Sequence, residues 1–270
     1  MKSLMLSLLI LFTLVGCQNL PSNDLAIDQA NHTNALITIE VVSLNDGYYT
    51  SHSGMGFMFA KDELACYVVT ANHVVEQPYS FMAYKYWNAN EKSEKIEYVG
   101  SDKNTDIAVL KLPISNNNCT TVSVNNQEST IRLGESVLIF GHPPIKYNDM
   151  PAKFYKSVSN GVISTVLDNY NKRGFSVIAS TGVVSPGFSG GAVFSISSAT
   201  HSVEFIGMAV ESLRKVENNG VAMPLSIIIP TKVLQESTNK IIANYKEIQE
   251  EVQEDVQKPF SKKLLREEAL

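Results

Sequence analysis

Residues Ser185-Pro-Gly-Phe-Ser-Gly-Gly-Ala-Val193 decide how the rest of the chain is read. Ser189 stands between Gly187 and the pair Gly190-Gly191, and Pro186 sets the turn. Glycines there let the backbone bend until several N–H groups point at one spot, where an anion can be held. A serine hydroxyl in such a hollow is a weak nucleophile until a base takes its proton. The stretch therefore asks for a histidine, and a histidine base asks for a carboxylate to orient it. Upstream, Val68-Val-Thr-Ala-Asn-His-Val-Val75 ends an apolar β-branched run on His73. Asn104-Thr-Asp-Ile-Ala-Val-Leu-Lys111 opens another such run on Asp106. Alone, a histidine beside an apolar strand is structural, and a Thr-Asp pair opening a strand is a turn. The order His73, Asp106, Ser189 and the glycine-rich turn are what join the three.

On these residues the chain resembles the trypsin-like (chymotrypsin-fold) serine proteases, and among them the bacterial HtrA-type branch. Further matching pieces are Gly54-Met-Gly-Phe-Met-Phe59, Gly134-Glu-Ser-Val-Leu-Ile-Phe-Gly-His-Pro143 and Asn160-Gly-Val-Ile-Ser164. They follow the family's order over residues 35–235. The resemblance implies an all-β fold of two six-stranded antiparallel barrels side by side. It also implies a seam carrying His73 and Asp106 from the first barrel and Ser189 from the second. Ser189 is then the nucleophile, His73 the base, Asp106 its orienting carboxylate, and the N–H groups of Gly187 and Ser189 the oxyanion hole. The family needs no cofactor and no metal. His32, His52, His142 and His201 show no zinc-ligand spacing and are read as ordinary structural or turn residues. One departure stands out. Phe188 occupies a position where HtrA-type relatives have asparagine and trypsin has aspartate, so it either packs inward or tilts the Gly187 peptide. Without the aspartate, activation by a freed N-terminus is excluded.

Composition sets the wider frame. At 270 residues and 44% hydrophobic content the chain can bury a full core, and a net charge of −5 leaves no basic footprint for nucleic acid. Lys2 followed by the apolar run Leu4 to Val15 is a leader, too short to span a bilayer. Leu14-Val-Gly-Cys17 resembles the lipobox of bacterial lipoproteins. That implies a signal peptide over 1–16, lipid attachment at Cys17 and a place in the cell envelope, with Gln18 favouring the outer membrane. An ordinary secretory leader is the alternative. Residues 17–34 are polar and read as a tether. The remaining cysteines, Cys66 and Cys119, form either one disulfide or two buried thiols.

From residue 35 short β-branched runs are divided by turn chemistry, which reads as all-β. The first barrel is expected over 35–124. The polar stretch Asn125-Asn-Gln-Glu-Ser-Thr130 is a linker, and the second barrel covers 125–230. After Pro230, Leu234, Ile241 and Ile248 recur every seventh residue with Thr238, Tyr245 and Val252 between them. That spacing predicts an amphipathic helix over 231–256, packed on the second barrel, ended by Pro259 and followed by a charged tail over 257–270. Its far end is a candidate for self-association or a partner. No room follows it for a PDZ domain, which many relatives carry.

Six residues before the nucleophile, Val183 follows Gly182 where trypsin has an acid, so an apolar S1 pocket is expected. Glu211 and Ser212 are expected at the edge of the same pocket. Two functions stay open: a serine endopeptidase acting on proteins, and a silent or latent protease-fold lipoprotein that binds a protein partner.

Overall fold

The computed structural model describes residues 33–45, 48–76, 80–86, 94–113, 119–124, 131–146, 153–197, 202–213 and 224–267. The leader, Cys17, nearly all of the tether, the linker at 125–130, His32 and His201 lie outside them. A short 3-10 turn, Thr33–Ala35, leads into β1 (Leu36–Asn45), β2 (Tyr48–Lys61) and β3 (Ala65–Ala71). After a one-turn helix, α1 (Asn72–Val75), come β4 (Ser80–Tyr86), β5 (Glu94–Lys95), β6 (Glu97–Asp102) and β7 (Ile107–Pro113). All seven residues of β3 are buried, because it lies inside the sheet between β2 and β7.

The second half contains β8 (Ser136–Gly141), β9 (Pro144–Ile145), β10 (Lys153–Phe154) and β11 (Ser157–Leu167). It continues through β12 (Val177–Ser180), β13 (Gly191–Ile196), β14 (Val203–Leu213) and β15 (Leu225–Pro230). Six of these strands close a barrel in the order β11-β12-β15-β14-β13-β8, while β9 and β10 form a separate ribbon. The all-β class and the closed second barrel agree with expectation. The first half differs in detail: its sheet has seven strands in the order β5-β4-β1-β2-β3-β7-β6, and its end strands do not pair.

A chain of aromatic rings holds the halves together. Phe57 of β2 meets Phe205 of β14 edge-on at 5.1 Å, Phe205 meets Phe194 at 5.7 Å, and Phe194 meets Phe140 at 5.6 Å. Each such pair adds about 0.5–1.5 kcal/mol beyond the area it buries.

The terminal helix α2 (Thr231–Glu267) corrects the sequence reading in two ways. It leaves the second barrel almost at once. Thr231 bonds the Phe205 carbonyl, but Ser237 already reaches Thr105, and Ile241 packs on Gly100 of β6. Further on, the Tyr245 hydroxyl donates to Glu97 Oε1 at 2.9 Å, and Lys246 lies 2.9 Å from Asp62 Oδ2. The helix thus docks on the first sheet, where β6 and β7 offer both the apolar groove and the polar partners. It also runs through Pro259 to Glu267, so 257–267 is helical rather than a tail. An interior proline costs a hydrogen bond and a clash with the preceding turn, and the helix formers Gln257, Lys258, Lys262 and Lys263 on either side favour continuing it. The apolar stripe that docks at Leu234 and Ile241 continues onto Ile248 and Val252, which are 57% and 55% exposed.

Cys66 of β3 and Cys119 are joined in a disulfide, with Cα atoms 5.8 Å apart and a sequence separation of 53. Replacing both by serine should cost about 2–4 kcal/mol, seen as a lower midpoint in urea unfolding of the oxidised protein.

Candidate active site

Strand pairing brings the first two groups together. In the antiparallel ladder of β3 and β7, Ala71 faces Ile107, so the residues just after β3 meet those just before β7. The Asn72 N–H donates to the Asp106 carbonyl at 2.9 Å. The Asp106 side chain then takes two bonds from one residue. His73 N–H donates to Oδ1 at 3.0 Å, and His73 Nδ1 lies 2.8 Å from Oδ2. Asp106 reaches this pose in the left-handed region, φ 57°, which aspartate tolerates better than most residues. Behind it, buried Ser237 of α2 donates to the Thr105 hydroxyl at 3.2 Å, and Thr105 donates to the Asp102 carbonyl. The His73 ring is 46% exposed. Its pKa is raised above the ordinary value, first by the bond to Asp106, against an opposing effect of burial.

The Ser189 turn is set by contacts with both halves. Gly187 and Gly190 have φ of +95° and +80°, and backbone carbonyls of His142 and Met55 occupy the space a side chain would need. The Gly187 carbonyl accepts from His142 N–H at 2.8 Å, and the Ser189 carbonyl accepts from Met55 N–H at 2.8 Å. Phe188 N–H bonds Ser185 and Gly190 N–H bonds Ala209. Among the described residues, the N–H groups of Gly187 and Ser189 donate to nothing. Phe188 turns inward and is 6% exposed, packed in the barrel core with Ile139, Val184 and Val193. The Ser189 hydroxyl lies 3.5 Å from the Val210 carbonyl and makes no hydrogen bond to the His73 ring. Both nevertheless line one cleft of about 410 Å³.

A model of the trypsin-like peptidase domain matches residues 54–200, more than half of the chain. The chain belongs to the trypsin-like peptidase family. It is 31% identical over 182 residues to "Serine protease Do-like HtrA" of Bacillus subtilis (strain 168), covering 67% of this chain and 38% of the relative. It is 31% identical over 197 residues to "Serine protease Do-like HtrB" of the same organism, covering 71% and 39%. The chain thus spans well under half the length of these relatives. The fold is similar to the solved "HtrA-type protease AlgW with tripeptide", with a TM-score of 0.58 and 22% identity over 80% of this chain and 63% of that one.

Of the four residues expected at the substrate pocket, two line this cleft and two do not. Glu211 and Ser212 line the cleft, together with Val184, Ala209 and Val210. Gly182 and Val183 do not; Val183 is 57% exposed and faces away. Gly182 is tied on both sides, its N–H to the Ser180 hydroxyl and its carbonyl to the Ser226 hydroxyl. Alternation along the extended segment then turns Val184 in and Val183 out. The wall formed by Val184, Ala209 and Val210 is apolar, and Glu211 is the carboxylate among the lining residues. Tyr170, which the sequence reading did not single out, is buried beside Glu211. Its pKa is raised by burial first and then by neighbouring Glu211. No motif marks that residue. His52 also lines the cleft, its Nε2 held 2.8 Å from the Val74 carbonyl. Among the described residues no three metal-ligating side chains cluster.

A raised folded pKa means that folding favours protonated His73. That contribution is complete below the unfolded value and fades as pH rises through the folded one. Asp106→Asn removes the main cause, so the His73 titration followed by NMR should move to lower pH and the acid-side stabilisation should shrink.

Proposed function

We propose that the chain is a serine endopeptidase of the cell envelope, hydrolysing peptide bonds of protein substrates. One arrangement carries the reading: His73, held by Asp106 behind it, the Ser189 hydroxyl and two undonated N–H groups border a single cleft. Ser189 Oγ attacks the peptide carbonyl while His73 Nε2 takes its proton. Asp106, bonded to Nδ1, holds the ring's tautomer and stabilises the cation that forms. The Gly187 and Ser189 N–H groups receive the developing oxyanion, each donor worth roughly 3–4 kcal/mol in comparable sites. His73 then returns the proton to the departing amine, leaving an acyl-serine that water hydrolyses by the same steps reversed. The apolar wall formed by Val184, Ala209 and Val210 suits small or medium apolar side chains before the scissile bond.

The latent form of this reading draws support from one feature, the Ser189 hydroxyl turned towards Val210 instead of His73. A substrate that fills the cleft would swing it back, as catalytic hydrogen bonds in free enzymes are often long or misaligned. The lipobox-like Leu14-Val-Gly-Cys17 supports anchoring through Cys17. The exposed pair Ile248 and Val252 supports contact with a second chain through α2. Ile248→Asp with Val252→Asp should then lower the mass seen in sedimentation, and an unchanged mass excludes that contact.

A fluorophosphonate probe should label the wild-type protein and not Ser189→Ala. Ser189→Ala and His73→Ala should each lower turnover of unfolded casein by about 10⁴-fold or more. Wild-type turnover should rise with pH through the raised His73 pKa, since only the neutral ring accepts the proton. Absence of labelling in the presence of casein leaves the chain as a silent binding module.

A further inference from the structure

A second hollow, of about 260 Å³, opens between the first sheet and the β9–β10 ribbon. Ser53 lines both it and the main cleft, so the two are neighbours across that residue. Their order along a bound polypeptide follows from the main cleft. The acyl half of a substrate lies against Val184 and residues 209–212, so the leaving half crosses His52 and Ser53. That path leads into the hollow.

Its chemistry is cationic with a flat aromatic floor. Lys85 of β4 and Lys153 of β10 line it, against one carboxylate, Glu40 of β1. Lys85 faces Thr38 across the β1–β4 ladder, and the Thr38 hydroxyl donates to its carbonyl at 3.4 Å, which ties the lysine's backbone to the rim. The His142 ring stacks on Phe154, centroids 5.5 Å apart and planes at 25°. Burial first, then the charges of Lys85 and Lys156, push the His142 pKa down to about 4. The imidazole is therefore neutral at working pH, and the positive charge comes from the lysines. Of the two lining lysines, Lys85 acts on the His142 ring, and Lys153 lines the hollow on the ribbon side. A carboxylate entering there meets ammonium groups in a partly enclosed space, where charge-assisted bonds are short and strong.

We infer that this hollow is a subsite for an acidic side chain of the substrate on the leaving-group side of the scissile bond, which rests on the endopeptidase reading above. The hollow also adjoins the turn that holds the oxyanion donors. His142 N–H bonds the Gly187 carbonyl, and Ser53 Oγ lies 3.5 Å from the His142 carbonyl. A side chain seated there contacts the segment that fixes Gly187, so selection acts next to the chemistry.

The test uses the full chain in detergent and peptides identical up to the scissile bond, with Glu, Ala or Lys at each of the next three positions. At least one position should favour Glu over Lys by about tenfold in kcat/KM at low salt, because like charges repel across such a site. The contrast should shrink at about 0.5 M salt, where exposed charges are screened. Lys85→Gln with Lys153→Gln should abolish the preference, and Lys85→Glu with Lys153→Glu should invert it, while the Ala peptide is cleaved within about twofold of wild type. Fluorophosphonate labelling of Ser189 is read in the same samples. Normal labelling with no acidic preference, or a preference that survives charge reversal, overturns the subsite and leaves the endopeptidase reading intact. Loss of labelling in wild type overturns both.

Discussion

Among the described residues, the backbone hydrogen bond that joins the two halves runs from Met55 N–H to the Ser189 carbonyl. The Met55 carbonyl is held in turn by the Thr70 hydroxyl at 2.7 Å and lies where a side chain on residue 190 would be. Strands β2 and β3 and the nucleophile turn therefore share a single junction. Close packing makes such a junction stiff, because displacing either backbone strands polar groups that have no other partner. The aromatic chain from Phe57 to Phe140 closes the seam behind it. Where Ser189 sits relative to His73 is thus a property of the two cores, not of a loop.

Strained backbone lies at two turns that face each other across the halves. Asp106 holds a left-handed backbone, and so do Asn169, Asn171 and Lys172 in the turn between β11 and β12. Conformations of this kind cost of order 1–3 kcal/mol each and persist where the surroundings over-determine them. Here the surroundings can be named. Asp106 accepts two bonds from His73, while the Arg173 carbonyl accepts from the Asn104 side chain at 3.2 Å. The second contact links the β11–β12 turn of one half to the aspartate turn of the other. Helix α2 adds a third hold through Ser237 and Thr105, so a helix remote in sequence from the cleft supports the carboxylate that orients the base.

Some of this was readable in one dimension. His73 and Asp106 were legible because each ends or begins a β-branched run, and antiparallel neighbours bring such ends together. The turn at Ser189 was legible because glycine is needed at 187 and 190 whatever the rest of the chain does. Other features resisted. Whether Val183 or Val184 faces the cleft depends on how Gly182 is held, its N–H donating to Ser180 and its carbonyl accepting from Ser226, 44 residues away. The heptad spacing of α2 marked an apolar face correctly but could not say that β6 and β7, not the second barrel, receive it. Pro259 looked like a terminator because its local cost is real, yet that cost does not end a helix with good formers on both sides.

What the sequence by itself determined is local chemistry: which residues can bend, which can trade protons, which faces are apolar, and in what order they come. Those properties act over a few residues, through φ preferences and side-chain periods of 2 and 3.6. Only the tertiary structure decided which apolar faces meet and which charges become neighbours. Lys85 and Lys153 lie in different halves of the chain, and their shared hollow exists because a sheet and a distant ribbon pack side by side. Proximity of that kind is set by the sum of many weak contacts across the fold, and no short stretch of sequence encodes it.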